Sequence, residues 1–353
     1  MDNAATLRTV PRPACPVCRT AGEPAYSDLR DGVFGTAGAW SMRRCLNRRC
    51  GLWWLDPAPD PRDLALAYAG YYTHADSHDD LRSPLRMGAR REMVARMLGY
   101  PSPGDRRSRL LGKLLLCSPQ RREYAMYRWF YLPFVRGGRV LEVGCGAGAQ
   151  LATLRDSGWT TVGVDFDVAA AAAARARGLK ILDGELQALA LPAASFDAIV
   201  MAHVIEHVPD PVGLFAECRR LLKPEGLLVA ITPNADSLGH RLFAHHWRGL
   251  EPPRHLVVFT APALALCARH AGFERPQITA SARDAANVVL ASSRIARVAP
   301  GERIESPRAD ALPPLRFRAL EHLERACDAL GIRLGEELVL VAHPGAPATR
   351  ATS

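Results

Sequence analysis

Val140-Leu141-Glu142-Val143-Gly144-Cys145-Gly146-Ala147-Gly148-Ala149 runs an apolar, strand-forming stretch straight into a loop with a glycine at every second residue. Glycines so placed let the backbone turn sharply at a strand end and approach a ligand with no Cβ in the way. In an open α/β sheet, ligands bind at the carboxyl ends of the strands, so this loop marks the binding edge. Gly144, Gly146 and Ala149 also satisfy the G-x-G-x-x-G/A pattern of dinucleotide enzymes, and the loop by itself leaves that ligand class open.

Working outward, short apolar runs alternate with helical stretches. Strands are expected at Arg139 to Val143, Thr160 to Val164, Lys180 to Leu182, Ala198 to Ala202 and Leu227 to Thr232, each apolar throughout as buried parallel strands are. Ala169 to Arg177 and Val212 to Leu222 read as the helices between them. The pattern predicts an α/β fold, a parallel sheet covered on both faces. Asp165 closes the second strand, where a carboxylate can accept hydrogen bonds from both hydroxyls of a ribose.

A different pattern precedes this domain. Cys15-Pro16-Val17-Cys18 is followed by Cys45-Leu46-Asn47-Arg48-Arg49-Cys50-Gly51. Two such pairs can place four thiolates tetrahedrally around a zinc ion, which would be structural because no coordination position stays open. The second pair is wider than usual, and reduced thiols or disulfides are the other uses of the same residues. Cys117, Cys145, Cys218, Cys267 and Cys327 stand singly and read as small buried residues. The strand-like Trp53-Trp54 follows the second pair, then a Pro-rich turn and a short helix bearing Tyr68, Tyr71 and Tyr72.

The 353 residues suffice for one large domain and a smaller one. The longest apolar runs, such as Leu227 to Ile231, fall far short of a membrane span, and Met1 to Val10 lacks the apolar core of a signal peptide, so a cytoplasmic location is expected. The net charge of +9 is carried almost wholly by arginine and is weak evidence for nucleic acid. Basic residues cluster between Arg82 and Arg128 around the apolar Leu110 to Leu116, a solvated linker helix or a surface for phosphates or an anionic membrane.

Four segments together resemble class I S-adenosylmethionine (SAM)-dependent methyltransferases. Val140 to Gly148 is similar to that family's first motif, with an acidic residue ahead of the glycines, and Val162-Gly163-Val164-Asp165 to its second. Ser195 to Val200 with Glu206-His207-Val208-Pro209-Asp210-Pro211 resembles the fourth strand and its loop, and Leu222-Lys223-Pro224-Glu225-Gly226 the turn into the fifth. The cysteine pairs ahead of this core are similar to those of zinc-containing sugar methyltransferases and other bacterial small-molecule methyltransferases. The chain departs from the sugar enzymes in its Cys45 to Cys50 spacing and lacks their second large domain.

The resemblance implies a seven-stranded Rossmann-like sheet, parallel with one antiparallel strand, behind a zinc-ribbon-like module. It implies a module over residues 12–75, an Arg-rich helical linker over 76–123, and a methyltransferase domain over 124–344. SAM would lie on Gly144, Cys145, Gly146 and Gly148, with Glu142 orienting its ammonium group and Asp165 taking the ribose. Phe166 and Leu186 would sandwich the adenine, Glu185 would accept from its amino group, and His203 would face the methionine portion. Methyl transfer to a hydroxyl or carbon acid also needs a base, for which histidine is suited. His255 and His207 are the candidates, with Tyr72 as relay; His245 and His246 are weaker ones.

About 55 residues separate the last two expected strands, Gln277 to Ser281 and Glu337 to His343, where the family has a short hairpin. Segment 283–336 is therefore expected to cover the acceptor pocket or to dock a partner. The expected acceptor is a small molecule or sugar. The rivals are an RNA methyltransferase that uses the zinc module to bind RNA, against which no dense basic-aromatic stripe is present, and a SAM-binding scaffold without catalysis.

Overall fold

A computed structural model describes residues 7–68, 83–102, 105–299, 302–304 and 312–345. Strand β1 (Thr9–Val10) pairs with β5 (Ala58–Pro59) beside an antiparallel sheet of β2 (Gly22–Leu29), β3 (Trp40–Cys45) and β4 (Trp53–Leu55). On β3 the larger apolar residues alternate, so Trp40 and Met42 reach one core, joined there by Leu55. A 3-10 turn over Pro61–Tyr68 closes the module.

Three helices follow: α1 (Pro84–Leu98), α2 (Arg106–Leu115) and α3 (Pro119–Arg128). Ser83, Asp105 and Ser118 cap them by accepting the N–H of Arg86, Ser108 and Arg121. Pro84 and Pro119 sit in first turns, where a missing N–H costs nothing.

The large unit contains β6 (Arg139–Val143), α4 (Ala149–Arg155), β7 (Thr160–Asp165), α5 (Val168–Ala176), β8 (Ile181–Asp183), β9 (Phe196–Ala202), α6 (Pro211–Leu221) and β10 (Leu222–Pro233). After these come α7 (Leu238–Phe243), β11 (Val257–Val258), α8 (Ala261–His270), β12 (Glu274–Ser281), α9 (Ala285–Ile295), α10 (Leu315–Ala329) and β13 (Glu337–His343). The seven-stranded sheet has the order β12-β13-β10-β9-β6-β7-β8, with β13 antiparallel to both neighbours and the pairs from β10 to β8 parallel. Leu141, Ile199 and Leu228 enter the core on one face, Val140, Val200 and Val229 that on the other. Burial on both sides is why these strands read as unbroken apolar runs. Trp129 and Phe130, just past α3, belong to the second core, so the linker helices lead directly onto the sheet.

The expected α/β architecture is present, with longer strands at the sheet's far side. β10 starts at Leu222 rather than Leu227 because a register irregularity accommodates the intervening turn, where Lys223 pairs with Asp197 at 2.8 Å. β12 starts at Glu274 for the same kind of reason. The module's sheet has the order β11-β4-β3-β2, in which Val257 and Val258 of the large unit pair with Trp54 and Trp53. An edge that would otherwise be open is thus closed by the large unit of the chain. Among the described residues no helix is long and apolar enough to cross a membrane.

Candidate active site

The loop after β6 folds as its glycines dictate. Gly144, Gly146 and Gly148 all have positive φ, between 51° and 76°. At Gly148, which opens α4, a Cβ would come within 2.4 Å of Leu179 Cδ1 and 3.0 Å of Ala174 Cβ. The Gly144 and Cys145 amides donate to the Val164 carbonyl, and the Gly146 amide donates to Asp165 Oδ2 at 2.7 Å. Asp165 Oδ1 accepts from the Asp167 amide, so the carboxylate ties the loop to β7 while each oxygen keeps a lone pair for a ligand.

A cavity of about 200 Å³ opens at this loop, lined by Glu142, Gly144 to Gln150, Tyr127 and Ala202. Glu142 Oε2 is buried without a hydrogen-bond partner among the described residues. Burial first, and Asp165 second, push the Glu142 carboxyl well above the usual range. A cationic ligand would remove that cost, and the methionine end of SAM carries an ammonium.

Beside this cavity the carboxyl end of β9 meets the start of β13. His203, with φ of 54°, places Nε2 3.0 Å from Glu337 Oε1 and Nδ1 3.3 Å from Glu206 Oε1. Burial favours a neutral His203, but the two carboxylates outweigh it and raise its affinity for a proton well above the ordinary value. Glu337 also pairs with Arg283, whose guanidinium lies 3.6 Å over the Tyr127 ring. Tyr127 lines the first cavity, and His203, Arg283 and Glu337 line a second.

That second cavity measures about 390 Å³, and besides these strand-end residues its wall includes Val33 and Phe34 of the module, Trp247, Gly249, Glu251 and His255 of the loop before β11, and Asn287, Val288 and Ala291 of α9. His255 is buried, with Nδ1 2.7 Å from the Gly249 carbonyl oxygen and Nε2 3.7 Å from Glu251. Burial pulls its pKa down to about 4, so it is neutral at physiological pH. His207 Nδ1 lies 3.0 Å from the Arg254 carbonyl oxygen, which it donates to as N–H, leaving Nε2 as the acceptor nitrogen. The two rings meet edge to face at 4.7 Å. A carboxylate oxygen of Glu206 and a ring nitrogen of each histidine lie within 4.8 Å of one another, a donor set that could also hold a divalent cation.

A family model described as a methyltransferase domain matches residues 114–277. A ubiquinone biosynthesis O-methyltransferase of Thiobacillus denitrificans is 34% identical over 157 residues, 40% of this chain and 67% of that protein. The chain belongs to the SAM-dependent methyltransferases. A protein of Mycolicibacterium smegmatis, designated a probable S-adenosylmethionine-dependent methyltransferase, is 41% identical over 100 residues, 28% of this chain and 39% of the relative. The chain thus spans less than half the length of that relative. A solved SAM-dependent methyltransferase from Archaeoglobus fulgidus aligns at a TM-score of 0.43 and 18% identity over 66% of this chain and 98% of that one.

In this methyltransferase the four module cysteines come together. Cys15 Sγ lies 3.8 Å from Cys50 Sγ and Cys18 Sγ 3.4 Å from Cys45 Sγ, with all four sulfurs within 4.8 Å. These spacings exceed a disulfide bond of about 2.05 Å and match the edge of about 3.8 Å of a tetrahedron with Zn–S of about 2.3 Å. All four are free thiols. The catalytic part grips both knuckles: Thr260 Oγ1 donates to the Cys50 carbonyl at 2.6 Å, and His270 Nδ1 lies 3.0 Å from that of Val17.

The other expected residues divide. Phe166 is half exposed, whereas Leu186, its expected partner across an adenine, is buried in the core at 2% exposure. Glu185 is exposed at the start of a 3-10 turn. His245 and His246 contact each other at 3.8 Å between ring centroids, and His245 stands 6.2 Å from the Tyr26 ring. Tyr72 and Tyr71 lie outside the described residues. Tyr68 of the same cluster stands edge-on to Phe166 at 5.3 Å and to His207 at 5.9 Å. Sequence reasoning missed Tyr127, Arg283, Glu251 and Glu337. The only local signal was Glu337 opening the last strand with an acid ahead of an apolar run.

Proposed function

We propose that this methyltransferase acts on a hydroxylated small molecule, a sugar or a ring of similar size, held in the 390 Å³ cavity. That volume is in the range of small-molecule sites. Phe34 and Trp247 offer apolar walls, while Glu251, Asp284, Glu336 and Glu337 line it against the cations Arg248 and Arg283. So many carboxylates disfavour a phosphate backbone, which argues against RNA. The likeness to ubiquinone biosynthesis O-methyltransferases adds support for oxygen as the accepting atom.

In this reading SAM lies on the Gly144 to Gly148 loop, its ammonium at Glu142, its ribose at Asp165 and its adenine against Phe166, with Glu185 and His203 at its two ends. Transfer is an in-line displacement: a bond forms between the acceptor oxygen and the methyl carbon as the S–C bond breaks, and its electron pair goes to sulfur. The acceptor's proton passes to the histidine pair. The observation that carries this reading is the contact of His207 with His255, whose ring lines the acceptor cavity. Alignment and proton removal are the two things such an enzyme adds to a substrate that already has a good leaving group.

His255→Ala should lower turnover by about 10² or more with SAM affinity unchanged, since general base catalysis contributes about 10² to 10⁴. Near-normal turnover at saturating acceptor would assign His255 to loop structure. The convergence of Glu206, His207 and His255 favours a second reading, a divalent cation that positions the acceptor. Activity lost on chelation and restored by a divalent cation, with the module's zinc still bound, would decide for it.

A further inference from the structure

Helix α2 turns two of its four leucines outward. Its buried positions are the small Ser108 and Gly112, whereas Leu110 and Leu114 stand 61% and 63% exposed. The cause is the close approach of α1: a Cβ on Gly112 would come within 2.6 Å of the Ala89 carbonyl oxygen, and one on Gly88 within 2.1 Å of Ser108 Oγ. With the two helices nearly touching along this line, Leu111 and Leu115 are only partly buried, Leu115 against the second core, and Leu110 and Leu114 are left on the outer side.

The outward face has a definite chemistry. Leu110 and Leu114 are four residues apart and share one side of the helix. At about 100° per residue, Arg106 and Lys113 border them on one flank and Arg107 on the other, and all three are exposed. The helix contains no acidic residue, and the exposed Arg121 and Arg122 follow in the first turn of α3. A helix that faces only water places its leucines against its neighbours. An apolar ridge bordered by cations instead suits the boundary between lipid headgroups and acyl chains, where leucines enter and guanidiniums meet phosphates. Nucleic acid would use the cations alone, and α2 has no aromatic residue on which a base could stack.

We propose that α2 docks the enzyme on an anionic lipid bilayer. This assignment is independent of the acceptor reading, since none of these residues lines the 390 Å³ cavity. The test is sedimentation of the full chain with phosphatidylcholine vesicles, with and without about a third phosphatidylglycerol. The protein should pellet with the anionic vesicles, and Leu110→Ser with Leu114→Ser should weaken that binding by about tenfold or more. Arg106→Glu with Arg107→Glu should weaken it at least as much, and added salt should weaken what remains. Both variants should keep the wild-type SAM affinity and melting temperature, because the altered side chains are exposed. Failure of the wild type to bind anionic vesicles, undiminished binding by the leucine variant, or tighter and more salt-sensitive binding to single-stranded RNA than to vesicles would overturn the assignment.

Discussion

Arg254 and Asp31 form an ion pair at 2.9 Å in which the two side chains are 0% and 1% exposed. One comes from the loop before β11 and the other from the cysteine module. Arg254 also meets Glu251 at 2.9 Å, donates to Thr36 Oγ1 and stacks over Phe34 at 4.3 Å. Removing one member strands a buried charge, which costs about 3–5 kcal/mol in such settings. Arg254→Ala should therefore lower the stability read from denaturant unfolding by that amount, and a loss below about 1 kcal/mol would show that the pair is reached by water.

The cysteine cluster should hold one zinc ion per chain. Elemental analysis of the purified protein tests this directly, and Cys15→Ser with Cys18→Ser should abolish the metal. Because Thr260 and His270 hold the two knuckles, stripping the zinc should also lower the melting temperature of the whole chain rather than of a separate module. A melting transition unmoved by metal removal would count against a structural role.

Asp165→Ala should weaken SAM binding by about 2–3 kcal/mol, because in the proposed placement it would take a carboxylate from the ribose diol, and it also frees the Gly146 amide. Calorimetry gives the affinity directly. Unchanged SAM binding, or tight NAD binding by the wild type, would contradict the placement of the cofactor.

Glu324 is buried in α10 with both carboxylate oxygens lacking a hydrogen-bond partner among the described residues. Burial, with Glu336 and Asp328 nearby, pushes it up to about 10, and Glu336 is pushed up to about 7. An unfolded chain ionises these groups near 4.5, so between that pH and the folded values the native state binds more protons. Stability should therefore fall as pH rises across this window. Glu324→Gln, which keeps the shape and removes the charge, should raise the melting temperature by about 3 °C or more near pH 9 and change it little near pH 5. Equal shifts at both pH values would show that ionisation of Glu324 is not responsible.

Much of this molecule was legible in residues that act through short spacings. The glycines of 144 to 148, Asp165 at a strand end and the two cysteine pairs each state their geometry within a few positions. Phe166 and Leu186 illustrate the limit of that reasoning: both are apolar residues just after strands, yet one faces outward and the other is taken into the core by its neighbours. Contacts that join distant segments had no local trace. Arg283 and Tyr127, or Arg254 and Asp31, meet only because the sheet brings their elements together. The buried Glu206 sat in a recognised motif, but its hydrogen bond to Thr232 and its place beside both histidines depend on the tertiary fold.

The pairing of β4 with β11 bears on how the chain is made. Trp54 leaves the ribosome roughly 200 residues before its partner Val257, an interval of about 10 to 40 seconds at ordinary synthesis rates. Through that time the four thiols are already present and can take up metal, but the strand beside them has an open edge capable of pairing with another nascent chain. Early zinc capture would then act as a holding state for the emerging protein, and yield in cells should fall under zinc starvation even if the finished enzyme, once folded, retains its ion.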